Sequence, residues 1–120
     1  MRKLENDILL YHGSYCEVQQ PDLKRCARYK DFGQGFYVTT SRRQAENFSK
    51  ISTQKGIAND NTNATITTYM AGGFGELGTK QAEDICISLL LPERLQDQYC
   101  FRTEKALQCL TFVESEKIWL

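Results

Sequence analysis

Apolar positions in this chain come in short runs broken by polar and glycine-marked stretches, and their spacing changes from segment to segment. Ile8-Leu9-Leu10-Tyr11 is an apolar run that ends at His12-Gly13-Ser14, which predicts a buried strand stopping at glycine. Residues 15–30 carry scattered charge and predict a loop, with residues 18–22 extended around Pro21. Gly33 and Gly35 then mark a turn, and Phe36-Tyr37-Val38-Thr39 is an aromatic and β-branched run that predicts a second strand. Directly after it, Ser41 and Gln44 stand at the spacing of a capping box, in which a hydroxyl accepts from an orphan amide at the start of a helix. Ala45, Phe48 and Ile51 follow at helical intervals, so a glycine-hinged strand feeds a capped helix.

Beyond this unit the texture alters. Ser52-Thr53-Gln54-Lys55-Gly56 predicts a polar link, and Asn59-Asp60-Asn61-Thr62-Asn63 a run of turns. Residues 65–70 are ambiguous, since their β-branched members favour strand while Ile66, Tyr69 and Met70 share a helical face. The reading adopted is a short helix that stops at Gly72-Gly73. Residues 79–90 predict the clearest helix, with Ala82, Ile85, Cys86, Leu89 and Leu90 in one stripe and Pro92 as its stop. Residues 98–102 alternate as a strand, Thr103 caps a short helix to about Gln108, and Leu110-Thr111-Phe112-Val113 predicts a last strand. The pattern is that of a single α+β domain spanning residues 1–120.

Composition narrows the function classes. The chain has 120 residues, 41% of them hydrophobic, with 15 basic and 15 acidic side chains, so its formal net charge is zero. Nonspecific nucleic-acid binding by phosphate neutralisation is not expected from that balance. No apolar run approaches the length of a membrane span or a signal-peptide core, so a cytoplasmic protein without membrane contact is expected. Five cysteines without CxxC spacing predict free, mostly buried thiols. A single histidine, His12, leaves no multi-histidine metal site, and no metal is expected. Asp31-Phe32-Gly33 matches a kinase metal-binding tripeptide, but no glycine-rich nucleotide loop, strand lysine or His-Arg-Asp block precedes it.

Three blocks together carry a resemblance. Leu10-Tyr11-His12-Gly13-Ser14, then Asp31-Phe32-Gly33-Gln34-Gly35-Phe36-Tyr37 with the helix bearing Ala45 and Phe48, and finally Asp97-Gln98-Tyr99-Cys100-Phe101-Arg102-Thr103 resemble the NAD-binding signature of the ADP-ribosyltransferase superfamily. The branch is the one whose motif triad is His, Tyr and a third residue, Glu, Asp or Gln. More closely, the chain is similar to an uncharacterised bacterial domain-of-unknown-function family of that clan. The resemblance implies a small split β-sheet with covering helices, and a mono-ADP-ribosyltransferase that uses NAD as substrate, releases nicotinamide and modifies an unknown acceptor. A toxin-like or defence role, with an antitoxin or inhibitor protein as partner, belongs to the same implication.

Each matching residue then has an implied role. His12 would hydrogen-bond a ribose hydroxyl of NAD, and the Gly13 main chain would pair with the nicotinamide carboxamide. Tyr37 and Phe48 would hold the nicotinamide ring between aromatic faces, which excludes water and fixes the plane of the leaving group. Gln98 would hold the ribose hydroxyl as oxocarbenium-like charge builds on the sugar. Ser14 and Gly35 complete the NAD-binding set, and His12, Tyr37 and Gln98 are the catalytic candidates.

The chain departs from the pattern twice. Gln98 is a neutral amide where a Glu would offer charge. The middle is also short: four residues, 52–55, bridge a region where the resembling proteins carry extra strands, so central strands of the sheet are expected to be missing. The alternatives are a catalytically inactive NAD- or ADP-ribose-binding module and a protein-interaction module in which His12 and Tyr37 are core-edge residues.

Overall fold

The computed structural model describes residues 4–14, 16–23, 35–55, 64–79, 84–91 and 96–118. Its strands are β1 (Leu9–Ser14), β2 (Phe36–Thr39), β3 (Thr65–Ala71), β4 (Ile85–Leu91), β5 (Gln96–Phe101) and β6 (Leu110–Lys117). Helix α1 (Arg42–Lys55) follows β2, and the one-turn helix α2 (Glu104–Leu107) joins β5 to β6. The strands form one antiparallel sheet in the order β4-β5-β2-β1-β3-β6, an α+β arrangement. No described helix is long and apolar enough to cross a membrane.

The ladder is uneven across this sheet. β1 pairs with β3 from Leu9 opposite Met70 to Ser14 opposite Thr65. β2 pairs with β5 from Phe36 opposite Phe101 to Thr39 opposite Gln98. Between β1 and β2, the register holds a single pair, Tyr11 opposite Thr39. The sheet therefore consists of two three-stranded ladders, β4-β5-β2 and β1-β3-β6, joined at one bridge. Past that bridge, on the side of Gly13 and Tyr37, no further ladder pair joins the two strands, and this unpaired stretch is termed the notch.

Strand alternation sorts the side chains to two faces. Leu10, Phe36, Val38, Tyr69, Tyr99 and Phe101 point to one face and pack into the core with Leu4, Phe74, Leu107 and Leu110. The segment after β1 lies over this face: the Val18 N–H donates to Thr67 Oγ1 at 3.2 Å, and the Tyr69 hydroxyl donates to the Val18 carbonyl. Burial pushes the Tyr69 phenol well above its ordinary range. The opposite face is covered by α1, whose buried Ala45 and Ser49 lie against Gly13.

The caps explain where the helices begin. Ser41 Oγ accepts from the Gln44 N–H at 3.2 Å and its carbonyl accepts from the Ala45 N–H at 3.1 Å, which starts α1 immediately after β2. Thr103 Oγ1 accepts from the Ala106 N–H at 3.1 Å and starts α2. Replacing Ser41 by Ala should cost about 1 kcal/mol, the usual worth of such a cap. Urea denaturation should show it as a lower midpoint at unchanged slope.

Three sequence expectations are corrected. The stretch read as a short helix at residues 65–70 is strand β3, between β1 and β6. Thr65, Ile66, Thr67, Thr68 and Tyr69 are all buried, and a stretch buried on both faces shows no useful period. Pairing on both edges then decides in favour of the β-branched preference. The expected helix at residues 79–90 is corrected over its second half: Ile85–Leu91 is β4, paired to β5 from Ile85 opposite Phe101 to Leu91 opposite Gln96, whereas residues 80–83 lie outside the described residues and Asp84 is helical. Ile85-Cys86-Ile87-Ser88-Leu89-Leu90-Leu91 is apolar at almost every position, so the helical stripe was one of several patterns it contains. The second covering helix is accordingly absent from residues 85–91. The third correction concerns residues 52–55, which are the end of α1 rather than a link.

Of the free thiols described, Cys100 and Cys109 are buried and Cys16 is exposed. The expected turns at residues 31–34 and 59–63, and Cys26, lie outside the described residues.

Candidate functional site

His12, Gly13 and Tyr37 border the notch between β1 and β2. Its geometry follows from main-chain direction. The Ala71 N–H donates to the Ile8 carbonyl at 2.9 Å, so in β1 the even-numbered residues present their main-chain groups to β3. Tyr11 and Gly13 therefore direct theirs toward β2. Tyr11 meets Thr39. Continuing the ladder would set Gly13 against Tyr37, but the Tyr37 carbonyl instead accepts from His12 Nδ1 at 2.7 Å. The imidazole thus takes the place of a ladder partner, and the Gly13 N–H and C=O face the notch.

The His12 ring lies against Phe36, with centroids 4.2 Å apart and planes at 28°. Phe36 in turn meets the edge of Tyr69 at 5.7 Å and 86°. His12 consequently sits on the core side of β2, stacked between the notch and the aromatic interior. The bond to a carbonyl requires the proton on Nδ1, which makes Nε2 the acceptor nitrogen of the neutral ring.

Tyr37 alternates to the other side. It stands opposite Cys100, and Gln98 stands opposite Thr39, so Tyr37 and Gln98 are diagonal neighbours on the face that α1 covers. Tyr37 is half-buried. Gln98 is only 6% exposed, yet its carboxamide finds no hydrogen-bond partner among the described residues. The neighbouring Thr39 hydroxyl is engaged, accepting from the Ser41 N–H at 3.0 Å. Buried amides are ordinarily satisfied, so an unpartnered one is a group with donor and acceptor capacity to spare.

The remaining candidates separate into structural and open positions. A Cβ on Gly13 would come 1.9 Å from the Ala45 carbonyl oxygen, so the glycine is where α1 touches β1. A Cβ on Gly35 would come 2.2 Å from Cys100 Sγ, and packing against that thiol accounts for the glycine. Ser14 ends β1 opposite Thr65, half-buried and on the same side as His12. Phe48 is half-buried on α1, one residue before the buried Ser49.

The structure therefore brings His12 to Tyr37 through a ring-to-carbonyl bond, and sets the Tyr37 and Gln98 side chains on one face. It does not bring the His12 ring and Gln98 to the same side of β2. Among the described residues no group of three His, Cys, Asp or Glu could hold a metal ion. Phe36, the ring that holds His12, was missed from the sequence. The signal was present, because an aromatic directly before Tyr37 in a strand must project to the opposite face.

Residues 8–56 match a family described as "Protein of unknown function (DUF3990)". The match runs through β1, β2 and α1 and takes in His12, Tyr37 and Phe48, but it covers less than half of the 120 residues and ends before Gln98. No curated protein and no solved structure matches the chain.

Proposed function

We propose that this chain is an NAD-dependent mono-ADP-ribosyltransferase-like protein. In that reaction the bond from ribose C1′ to the nicotinamide nitrogen breaks, and nicotinamide leaves with the bonding electrons. An acceptor nucleophile then forms the new bond to C1′ and gives up its proton. The observation that carries the reading is Gln98: a carboxamide buried to 6% exposure, without a partner among the described residues, on the face that Tyr37 also occupies. A carboxamide can donate to one ribose hydroxyl and accept from another, so it suits a sugar. The Gly13 main-chain groups facing the notch suit a nicotinamide carboxamide in the same way. Being neutral, Gln98 orients the ribose but leaves the developing positive charge to be stabilised by other groups. A macromolecular acceptor, and an antitoxin or inhibitor protein, are the partners this reading carries.

A second reading, an NAD- or ADP-ribose-binding module without turnover, is favoured by one observation. The His12 ring and the Gln98 side chain lie on opposite sides of β2, so a single ribose would have to reach past that strand to meet both. Incubation with labelled NAD, following free nicotinamide and label on protein or nucleic acid, separates the two readings.

Binding itself has a direct test. His12→Ala and Tyr37→Ala should each weaken NAD binding by about 1–3 kcal/mol, the worth of a buried hydrogen bond or a stacking face. The readout is the rise in melting temperature with NAD, because a ligand of the native state must stabilise it. Both variants folded and both retaining the parent's NAD response would remove the site from the notch.

A further inference from the structure

We infer that Phe36 is a positioning residue whose ring, together with the Tyr37 carbonyl, holds His12 in one orientation and one tautomer. The value of that arrangement to a ligand rests on reading His12 as a ligand-binding residue; the arrangement itself does not.

Two contacts bear on the orientation of the imidazole, which has a further interaction beside them. The 2.7 Å bond from Nδ1 to the Tyr37 carbonyl fixes one edge of the ring and requires the proton on that nitrogen. The Phe36 ring, 4.2 Å away and 28° from parallel, fixes its plane. A single hydrogen bond leaves a side chain free to pivot about it, and a stacked face removes that freedom. Phe36 is itself only 4% exposed and is held edge-on by Tyr69, so it is a fixed surface rather than a mobile one. An unconstrained imidazole mostly carries its proton on Nε2. The fold imposes the opposite tautomer, and so presents Nε2 as an acceptor, suited to a ligand hydroxyl rather than to a carbonyl or phosphate oxygen.

The bland account is that Phe36 is a core residue and touches His12 only because both are there. The two accounts differ in what they predict for the ring. Because the chain has one histidine, its imidazole nitrogens can be read without assignment in a ¹⁵N-labelled sample. At a pH where the ring is neutral, the parent should show the Nδ1–H pattern. Phe36→Leu, which keeps the burial but removes the flat face, should move the nitrogens toward the mixed pattern of a free imidazole. It should also weaken NAD binding roughly threefold to tenfold. Tyr69→Phe is the control: it keeps the edge contact to Phe36 and loses the hydroxyl that holds Val18, so it should destabilise the fold and leave the imidazole pattern unchanged. A parent in the Nε2–H form, or a Phe36→Leu spectrum identical to the parent's, would overturn the inference. The expected spectra with no NAD response in the parent would leave Phe36 as the residue that positions His12 and would instead remove the NAD reading.

Discussion

Gly13→Ala should unfold this protein or lower its melting temperature by on the order of 10–20 °C, the largest stability effect expected from any single methyl group in it. The added Cβ would lie 1.9 Å from the Ala45 carbonyl oxygen, 2.9 Å from its carbonyl carbon and 2.8 Å from the Ser49 nitrogen. These are main-chain atoms in the middle of a 14-residue helix, so no side-chain rotation relieves the overlap. The helix must lift off β1 as a body, and Ala45 and Ser49, both fully buried, lose their packing together. Overpacking commonly costs about 1–3 kcal/mol where side chains can adjust, and a main-chain clash belongs at or above the top of that range. Gly72→Ala provides the contrast: its nearest neighbour would be Asn6 Oδ1 at 3.7 Å, and it should melt close to the parent. Circular dichroism melts of the two variants decide the matter. Equal melting temperatures would mean that α1 does not rest on Gly13, and the notch wall formed by that contact would have to be redrawn.

The elements read correctly from sequence are those with local punctuation. β2 follows Gly35 and ends two residues before Ser41, whose hydroxyl caps α1. Thr103 does the same for α2, and β1, β5 and β6 are short patterned runs bounded by polar residues. β3 and β4 were misread because pairing with other strands, not their own hydrophobic spacing, decides their identity. Thr65–Ala71 is flanked by β1 and β6, both far from it in the chain, whereas Ile85–Leu91 pairs with β5, the next strand, and is apolar at almost every position. Hydrophobic spacing within the segment cannot carry that information. The single bridge between β1 and β2 was invisible in the spacing as well.

The candidate residues were legible as positions and not as directions. His12 and Tyr37 stand on the two strands that border the notch, but only the alternation along Phe36-Tyr37 reveals that their rings project to opposite sides of β2. Gln98 was marked by its place in a block. That its amide is buried, opposite Thr39 on β2, is a fact of the folded chain alone.

Gln98→Ala should abolish nicotinamide release while leaving most of the NAD-induced rise in melting temperature, the largest functional effect expected. An interaction that matters chiefly as positive charge develops on the ribose contributes little to ground-state binding and much to the barrier. Truncation also frees the fold of a buried, unpartnered amide, so the variant should fold at least as well as the parent, and lost turnover cannot be ascribed to unfolding. Gln98→Glu is the sharper comparison. In the empty protein, burial to 6% exposure disfavours a carboxylate and pushes its pKa upward, so the free variant should be less stable at neutral pH than in mild acid. The sign follows because a carboxyl with a raised folded pKa adds stability below its unfolded pKa and loses it as pH rises toward the folded value. With NAD bound, the same charge faces the forming oxocarbenium ion, and nicotinamide release should equal or exceed the parent's. Measuring release for parent, Ala and Glu forms in parallel distinguishes the readings. An active parent with an inert Ala form places Gln98 at the reacting sugar, whereas inert parent and Glu forms that still bind NAD would make the domain a binding module.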